Sequence, residues 1–190
     1  MMGRNHLIVG ACALEHAYVA GKLIEKSDFQ PLITLRQTVD SYFGLKELVG
    51  PSIILIGICL AAYFLGTLLP DIDNPNSILG KILHVPIKHR RWLHAIYLYL
   101  PIAALGLIHP IFSWLFFGIF VHLFWDSFSA MGNCWFYKLL SDYKEYPSGA
   151  QIKKGHRLKL YHAGEWSEYL LVFIIVAISM ASFVWIGKLG

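Results

Sequence analysis

Charge is what this sequence has least of. Of its 190 residues only 15% are Asp, Glu, Lys or Arg, where a soluble domain carries about 25%. Together with 56% hydrophobic residues and a mean hydropathy of +0.54, this argues against a water-soluble globular chain and for a single integral-membrane domain over residues 1–190. Cysteine is sparse too. Cys12, Cys59 and Cys134 show no CxxC pairing, which argues against a disulfide framework or a zinc ribbon. Cys12 and Cys59 lie in apolar runs, so Cys134 is the one expected near water. Positive charge is in small surplus, a formal +4, and the basic residues lie beside apolar runs rather than on one soluble face. No nucleic-acid partner is expected. The first apolar run follows Arg4, as in a leader peptide, but Glu15 and His16 interrupt it and no small-x-small site follows cleanly. It is expected to be retained.

Long apolar runs are abundant. Five read as membrane helices, near 6–24, 51–69, 93–108, 111–126 and 169–187, against a need for about 17–25 residues per span. The third and fourth are short, joined by His109-Pro110, and are expected as a tilted or partly sunken pair kinked at Pro101. Between the first two, Leu32, Leu35, Val39, Tyr42 and Phe43 recur at helical spacing. This predicts an amphipathic helix over 30–50 on the bilayer surface, with an ordinary loop as the alternative. The fold class expected is all-α and polytopic, with about five transmembrane helices. If all five cross, Arg4, Lys81, Lys88, Arg90, Arg91 and the six basic residues from Lys138 to Lys159 share one side, against five on the other. The positive-inside rule makes the richer side, with the N-terminus, cytoplasmic.

One stretch breaks the pattern. In LLPDIDNPNSILG, residues 68–80, two carboxylates follow at once on an apolar run, where a membrane exit more often carries Lys, Arg, Trp or Tyr. The same membrane face collects further ligand-type side chains. His6 opens helix one, His89 and His94 lead into helix three, His122 and Asp126 end helix four, and Glu165 and Glu168 lead into helix five. Random placement would scatter them to both ends. His122 and Asp126, at i and i+4, share a helical face. His89 and His94, at i and i+5, cannot, which puts His89 in the loop and His94 on the first helical turn. Pro70 and Pro75 disfavour a continuing helix and push Asn74 toward extended geometry. Asp71 and Asp73 are therefore expected in an extended segment, both aimed at one site.

Imidazole and carboxylate without thiolate suit zinc, manganese or iron. Seven such residues plus one of Glu165 and Glu168 exceed the needs of one tetrahedral ion. Two divalent ions, Zn or Mn, are expected, with Asp73 or Asp126 as the bridge. Taken singly, each residue has an ordinary reading. Asp71 and Asp73 can cap the next helix, and His122 can hydrogen-bond within the bundle. Glu15 and His16, deeper in helix one, read as structural contacts. His84, His109, His156 and His162 have no strong partner. Asp126 is harder to dismiss, because an ionisable group inside the membrane is costly and usually functional. The basic run KKGHRLKLYH, residues 153–162, reads as a flank touching anionic lipid. Arg90 and Arg91, fixed between His89 and His94, have the better claim on a substrate phosphate.

NHLIVGACAL, LLPDIDNPNSILG, HRRWLHA and HLFWDSFSAMG occur in that order. The ordered set, spanning about 6–168, resembles the bacterial inner-membrane metal-dependent hydrolase family, whose members are described as LexA-regulated or LexA-binding. That family shows an N-terminal His, then Pro-Asp-x-Asp-x-Pro, His-Arg-Gly-x-Thr-His, His-x-x-x-Asp and a late Gly-x-x-x-Glu. The resemblance implies a bacterial inner-membrane location and a metal site on His6, Asp71, Asp73, His89, His94, His122, Asp126 and, through GEWSE, Glu168, with Arg90 beside it. Arg91 stands where the family has Gly, and Leu93 where it has Thr, which removes a hydroxyl next to His94. The pattern is also similar to zinc-dependent phospholipase C and related nucleases, an analogy that favours phosphoester bonds.

The expected function is hydrolysis of a phosphoester or ester bond in a lipid or membrane-bound substrate, at a metal site on the cytoplasmic membrane face. Arg90 would stabilise charge on phosphoryl oxygens, and His6 or Glu168 would complete the ligand shell or act as general base. Two other classes fit the same residues. A metal-ion or proton transporter needs polar groups through the membrane to both faces. A membrane scaffold with a structural metal needs no open coordination position.

Overall fold

The computed structural model describes residues 3–26, 30–44, 53–83, 85–153 and 157–189. Three helical stretches among them are long and apolar enough to cross a membrane. They are α1 (Gly3–Glu25), α3 (Ile53–Leu68) continued by a 3-10 turn over Leu69–Asp73, and α6 (Trp166–Leu189). A helix forms in the stretch expected to carry one, as α2 (Gln30–Tyr42). Residues 45–50 of that expected helix, 51–52 of the next run, His84 and His156 lie outside the described residues.

The expected helix over 93–108 is not continuous. Pro101 lacks the N–H that would bond back to Tyr97, and its ring crowds that carbonyl. The chain instead passes through 3-10 turns at Trp92–His94 and Ile96–Tyr99, then starts α4 (Leu100–Leu105) with Pro101 in its first turn. Pro101 thus begins a helix rather than kinking one. α5 (Pro110–Asp126) is apolar but short; at about 1.5 Å per residue it falls below the roughly 30 Å hydrocarbon core. Three described helices, rather than five, have spanning length.

The all-α expectation needs a second correction. β1 (Tyr143–Tyr146) and β2 (Gly149–Ile152) form an antiparallel hairpin, with Tyr143 opposite Ile152. Gly149 has φ +139°, and a Cβ there would lie 2.3 Å from the His89 carbonyl oxygen. The hairpin therefore sits directly on the His89 turn. Cys134, expected near water, is buried with Ala95, Tyr137, Ala150 and Ile152 beside that hairpin.

Two parallel helix pairs set the frame. Asn5 meets Glu168 and His16 meets Ser179, both 163 residues apart, so α1 and α6 run the same way with their N-termini together. α3 and α5 also run together, Gly118 against Tyr63 and His122 against Thr67. Here the backbones touch. A Cβ on Gly66 would lie 2.2 Å from Leu115 O, and one on Gly118 2.0 Å from Tyr63 O; small residues permit this close approach between membrane helices. Tyr63 Oη donates to Gly10 O at 2.8 Å and ties α3 to α1. The starts of α1 and α6 and the ends of α3 and α5 therefore gather at one end. At the other, Tyr42 Oη donates to Ala103 O (2.8 Å) and Trp114 Nε1 to Phe43 O (3.0 Å), docking α2 on the α4–α5 turn.

Candidate metal centre

Seven of the eight side chains expected to converge meet at the first of these ends. The His6 ring stacks on His122 with centroids 3.8 Å apart, and its Nε2 lies 3.6 Å from Asp126 Oδ1 and 3.9 Å from Asp71 Oδ2. His94 Nε2 is 3.6 Å from Asp71 Oδ1 and 3.4 Å from Asp126 Oδ2. His122 Nε2 is 3.6 Å and 3.8 Å from the same two atoms. A tetrahedral ion with bonds of about 2.0–2.1 Å has ligand edges of roughly 3.3–3.4 Å, so these separations need to contract only slightly. Asp71, His94, His122 and Asp126 form one group able to hold a cation, and Asp73, His89 and His94 form a second. The two groups share His94.

The backbone explains why there are two groups. Asn74 is extended, at φ −99° and ψ 110°, as Pro75 requires. Asp71 and Asp73, expected in an extended segment, lie instead in the 3-10 turn. At three residues per turn, i and i+2 project about 120° apart. Asp71 therefore faces the buried helices, while Asp73 turns to His89, whose Nδ1 lies 2.7 Å from Asp73 Oδ1. That contact leaves His89 Nε2 3.8 Å from Asp71 Oδ1, between the groups. His89 sits in the loop, as expected, whereas His94 ends the 3-10 turn Trp92–His94 rather than opening a helix over 93–108.

Ring orientations are fixed from behind. His122 Nδ1 lies 2.8 Å from Thr67 O. A carbonyl only accepts, so Nδ1 carries the proton, and neutral His122 presents its Nε2 lone pair to the carboxylates. Among the described residues, His6 Nε2, Asp71 Oδ2, Asp73 Oδ2, both ring nitrogens of His94 and His122 Nε2 are buried without a formed hydrogen bond. Each such group costs about 1–3 kcal/mol, and here they share one small volume. Burial alone would lower the His94 pKa, but Asp126 and Asp71 outweigh it and raise it to about 9. A proton on His94 is one source of positive charge for these carboxylates, and a divalent ion is another.

Arg90 and Glu168 take supporting positions. Arg90 is buried at φ +56°. Its Nη1 donates to Ser129 Oγ and Gly132 O, and its Nη2 lies 3.1 Å from Asp126 Oδ2. It therefore fixes Asp126 against the loop after α5. Glu168, the expected eighth ligand, accepts from Asn5 Nδ2 at 2.7 Å and from Gly164 N at 2.6 Å. It stands outside both cation-holding groups, at the start of α6, gripping the residue before His6. Arg91, in the place of the family's Gly, pairs with Glu145 of β1 at 2.7 Å. Of the remaining candidates, Glu165 lies 3.7 Å from His162 on the surface.

Asn5, Thr67 and Ser129 were not legible as site residues. Thr67 acts through its carbonyl, which any residue supplies. Asn5 acts at second hand through Glu168. Asn5→Leu should weaken metal binding by about 10–100-fold while leaving the expected ligands in place, read by competition with a chromophoric chelator. An unchanged affinity would make the Asn5–Glu168 contact a helix seam and nothing more.

A family model described as "YdjM inner membrane protein" matches residues 1–189. No curated protein and no solved structure matches the chain.

Proposed function

Because the chain belongs to the YdjM inner membrane protein family, we propose that it is a multi-pass enzyme of the bacterial inner membrane that uses a divalent metal centre to hydrolyse a phosphoester or ester bond. The substrate is a lipid or another membrane-bound molecule, and the N-terminus and the site lie on the cytoplasmic side. The observation that carries this reading is the gathering of Asp71, His94, His122 and Asp126, from separate stretches of chain, around ring nitrogens that have no hydrogen bond. Two groups sharing His94 suit two ions, Zn or Mn. Such a pair would activate water and neutralise charge on phosphoryl oxygens.

The chain's own residues supply the rest. Asp71 and Asp126 set the charge of the centre. Thr67 O and Asp73 orient His122 and His89, and Arg90 holds Asp126. Arg90 touches substrate only if its contact to Asp126 loosens. The His89 side chain is 24% exposed while those of Asp71, His94 and Asp126 are at most 3% exposed. This favours His89 as the substrate-facing edge, and an edge of that kind distinguishes an enzyme from a scaffold with a structural metal.

The transporter alternative needs polar continuity along the bundle. Val9 and Cys12 of α1 and Val172 and Ile175 of α6 form a buried apolar cluster. Along the two helices they separate His6 and Glu168 from His16 and Ser179. The cytoplasmic orientation rests on the distribution of Lys and Arg. It holds whether 93–126 crosses fully or dips in and returns, since both paths bring Asp126 back to the side that His94 left.

The direct test uses purified protein loaded with zinc or manganese, in vesicles of headgroup-labelled phosphatidylglycerol. Release of a water-soluble phosphorylated headgroup, abolished by chelation and restored by the metal, is expected. If the metal-loaded protein cleaves neither phospholipids nor carboxylic esters, the hydrolase reading fails and the metal is structural.

A further inference from the structure

The groove between α1, α5 and α6 has the form of a hydrocarbon site aligned with the metal centre. It encloses about 410 Å³ and its lining is apolar apart from His16, within the usual size of ligand pockets, roughly 300–1,000 Å³. Its wall on α5 is Phe117, Phe120, Val121, Phe124 and Trp125. These are i, i+3, i+4, i+7 and i+8, one continuous helical stripe. His122 and Asp126 follow directly on Val121 and Trp125, so each lies about 100° round the same helix. α5 thus turns one stripe to the groove and the neighbouring stripe to the metal ligands.

The other two walls keep the same register. On α1, Ala13 lines the groove seven residues after His6, on nearly the same face and about 10 Å further along the axis. On α6, Ile175 lines it seven residues after Glu168, with the same displacement. Of the three helices, α1 and α6 independently place the groove about two turns deeper than the polar end, and the α5 wall runs there from Trp125, next to Asp126. Two of them, α1 and α6, have spanning length, so the medium around the groove is hydrocarbon. His16 is the one polar residue of this lining, and its Nδ1 donates to Cys12 O at 2.7 Å.

We propose that this groove holds one acyl chain of a phosphate-bearing lipid, with the lipid's polar end at the level of Asp126 and its methyl end toward His16, Phe117 and Ile178. The proposal rests on the hydrolytic reading of the metal centre and names its substrate class. The acyl chain would fix the depth at which a phosphoester meets the metal ligands, as remote binding does when it positions a reacting group.

The experiment uses the full chain in phosphatidylglycerol vesicles containing a trace of phosphatidylglycerol with a diazirine in one acyl chain. One probe carries it near the carboxyl end, the other near the methyl end. After illumination, labelled peptides are mapped by mass spectrometry. The shallow probe should label Phe124 and Trp125, and the deep probe His16, Phe117 and Ile178. Ala13→Phe and, separately, Ile178→Phe, which fill the groove, should each cut that labelling several-fold with bound metal unchanged. Equal labelling of groove residues and outward positions such as Ile54 and Phe183 by both probes would mean bulk lipid only and overturn the proposal. Cross-links to a second copy of the chain would overturn it in favour of an interface. Groove labelling without bound metal or hydrolysis would instead sink the enzymatic reading and leave a lipid site. Hydrolysis without groove labelling would remove the acyl site alone.

Discussion

Asp71→Ala and His122→Ala, purified in detergent beside the unaltered protein, should each lose the metal almost completely, from about two equivalents of zinc or manganese. Both residues sit where several contacts meet. Asp71 Oδ1 is within 3.8 Å of the Nε2 atoms of His89, His94 and His122, so its loss takes a member from the first group and a neighbouring carboxylate from both imidazoles of the second. His122 supplies the nitrogen whose proton is fixed on the far side by Thr67 O, so no neighbour can replace it without moving α5. The variants should still fold, since neither change creates a clash, and removing a carboxylate relieves repulsion with Asp126 in the absence of metal. Asp73→Ala should differ in kind, weakening one equivalent more than the other, because Asp73 meets only the group that contains His89. Elemental analysis at matched protein concentration reads all three. If the unaltered protein binds no metal after reconstitution, the hydrolase reading goes, and the His and Asp cluster belongs to proton or ion handling.

Gly118→Val should abolish metal binding without touching a ligand. The added Cβ would lie 2.0 Å from Tyr63 O and 3.0 Å from Thr67 N. The obstacle is helix backbone, which has no rotamer to adopt, so α3 and α5 must separate. The cost lies at or above the upper end of overpacking, about 3 kcal/mol. Separation breaks the His122 contact to Thr67 O and draws Asp71 away from Asp126, because those residues sit at the ends of the two helices. Gly57→Ala is the control. Nothing lies within 4 Å of a Cβ there, and Ala favours a helix over Gly by about 1 kcal/mol. Thermal unfolding in detergent should show a large loss for Gly118→Val and no loss for Gly57→Ala. Equal behaviour would mean that the Gly66–Gly118 crossing is not the hinge on which the centre depends.

Most of the candidate centre could be read in the sequence, because burying imidazole and carboxylate at the edge of apolar runs needs a reason and few reasons exist. The i, i+4 spacing of His122 and Asp126 gave their common face, and the five-residue gap between His89 and His94 gave their separate backbones. The direction of Asp73 was not legible. Whether PDID runs extended or turns as a 3-10 helix depends on what Asp71 packs against, including Ser77, which donates to Asp71 O at 2.7 Å. The break in the helix over 93–108 was written in Pro101 but admits two outcomes, a kink or a start. The hairpin had a signal in YPSG between two short strands, hidden by its place in a long polar connection. Its seat on His89 has no sequence signal, because Gly149 matters for the side chain it lacks.

The seam between α1 and α6 has a consequence for how the protein is made. It joins partners 163 residues apart, Asn5 with Glu168 and His16 with Ser179, and Ser182 reaches back to Glu15 at 2.8 Å. A ribosome delivers α1 well before α6. Until α6 is made, α1 carries Glu15 and His16 without their partners Ser182 and Ser179, and contacts so remote in sequence are slow to form. All seven candidate ligands emerge before Trp166, yet the clasp that steadies the start of α1 arrives only with α6. A chain stalled short of that helix would hold all seven candidate ligands and lack the grip that steadies His6, so loading with metal would report that α6 had been made and had docked.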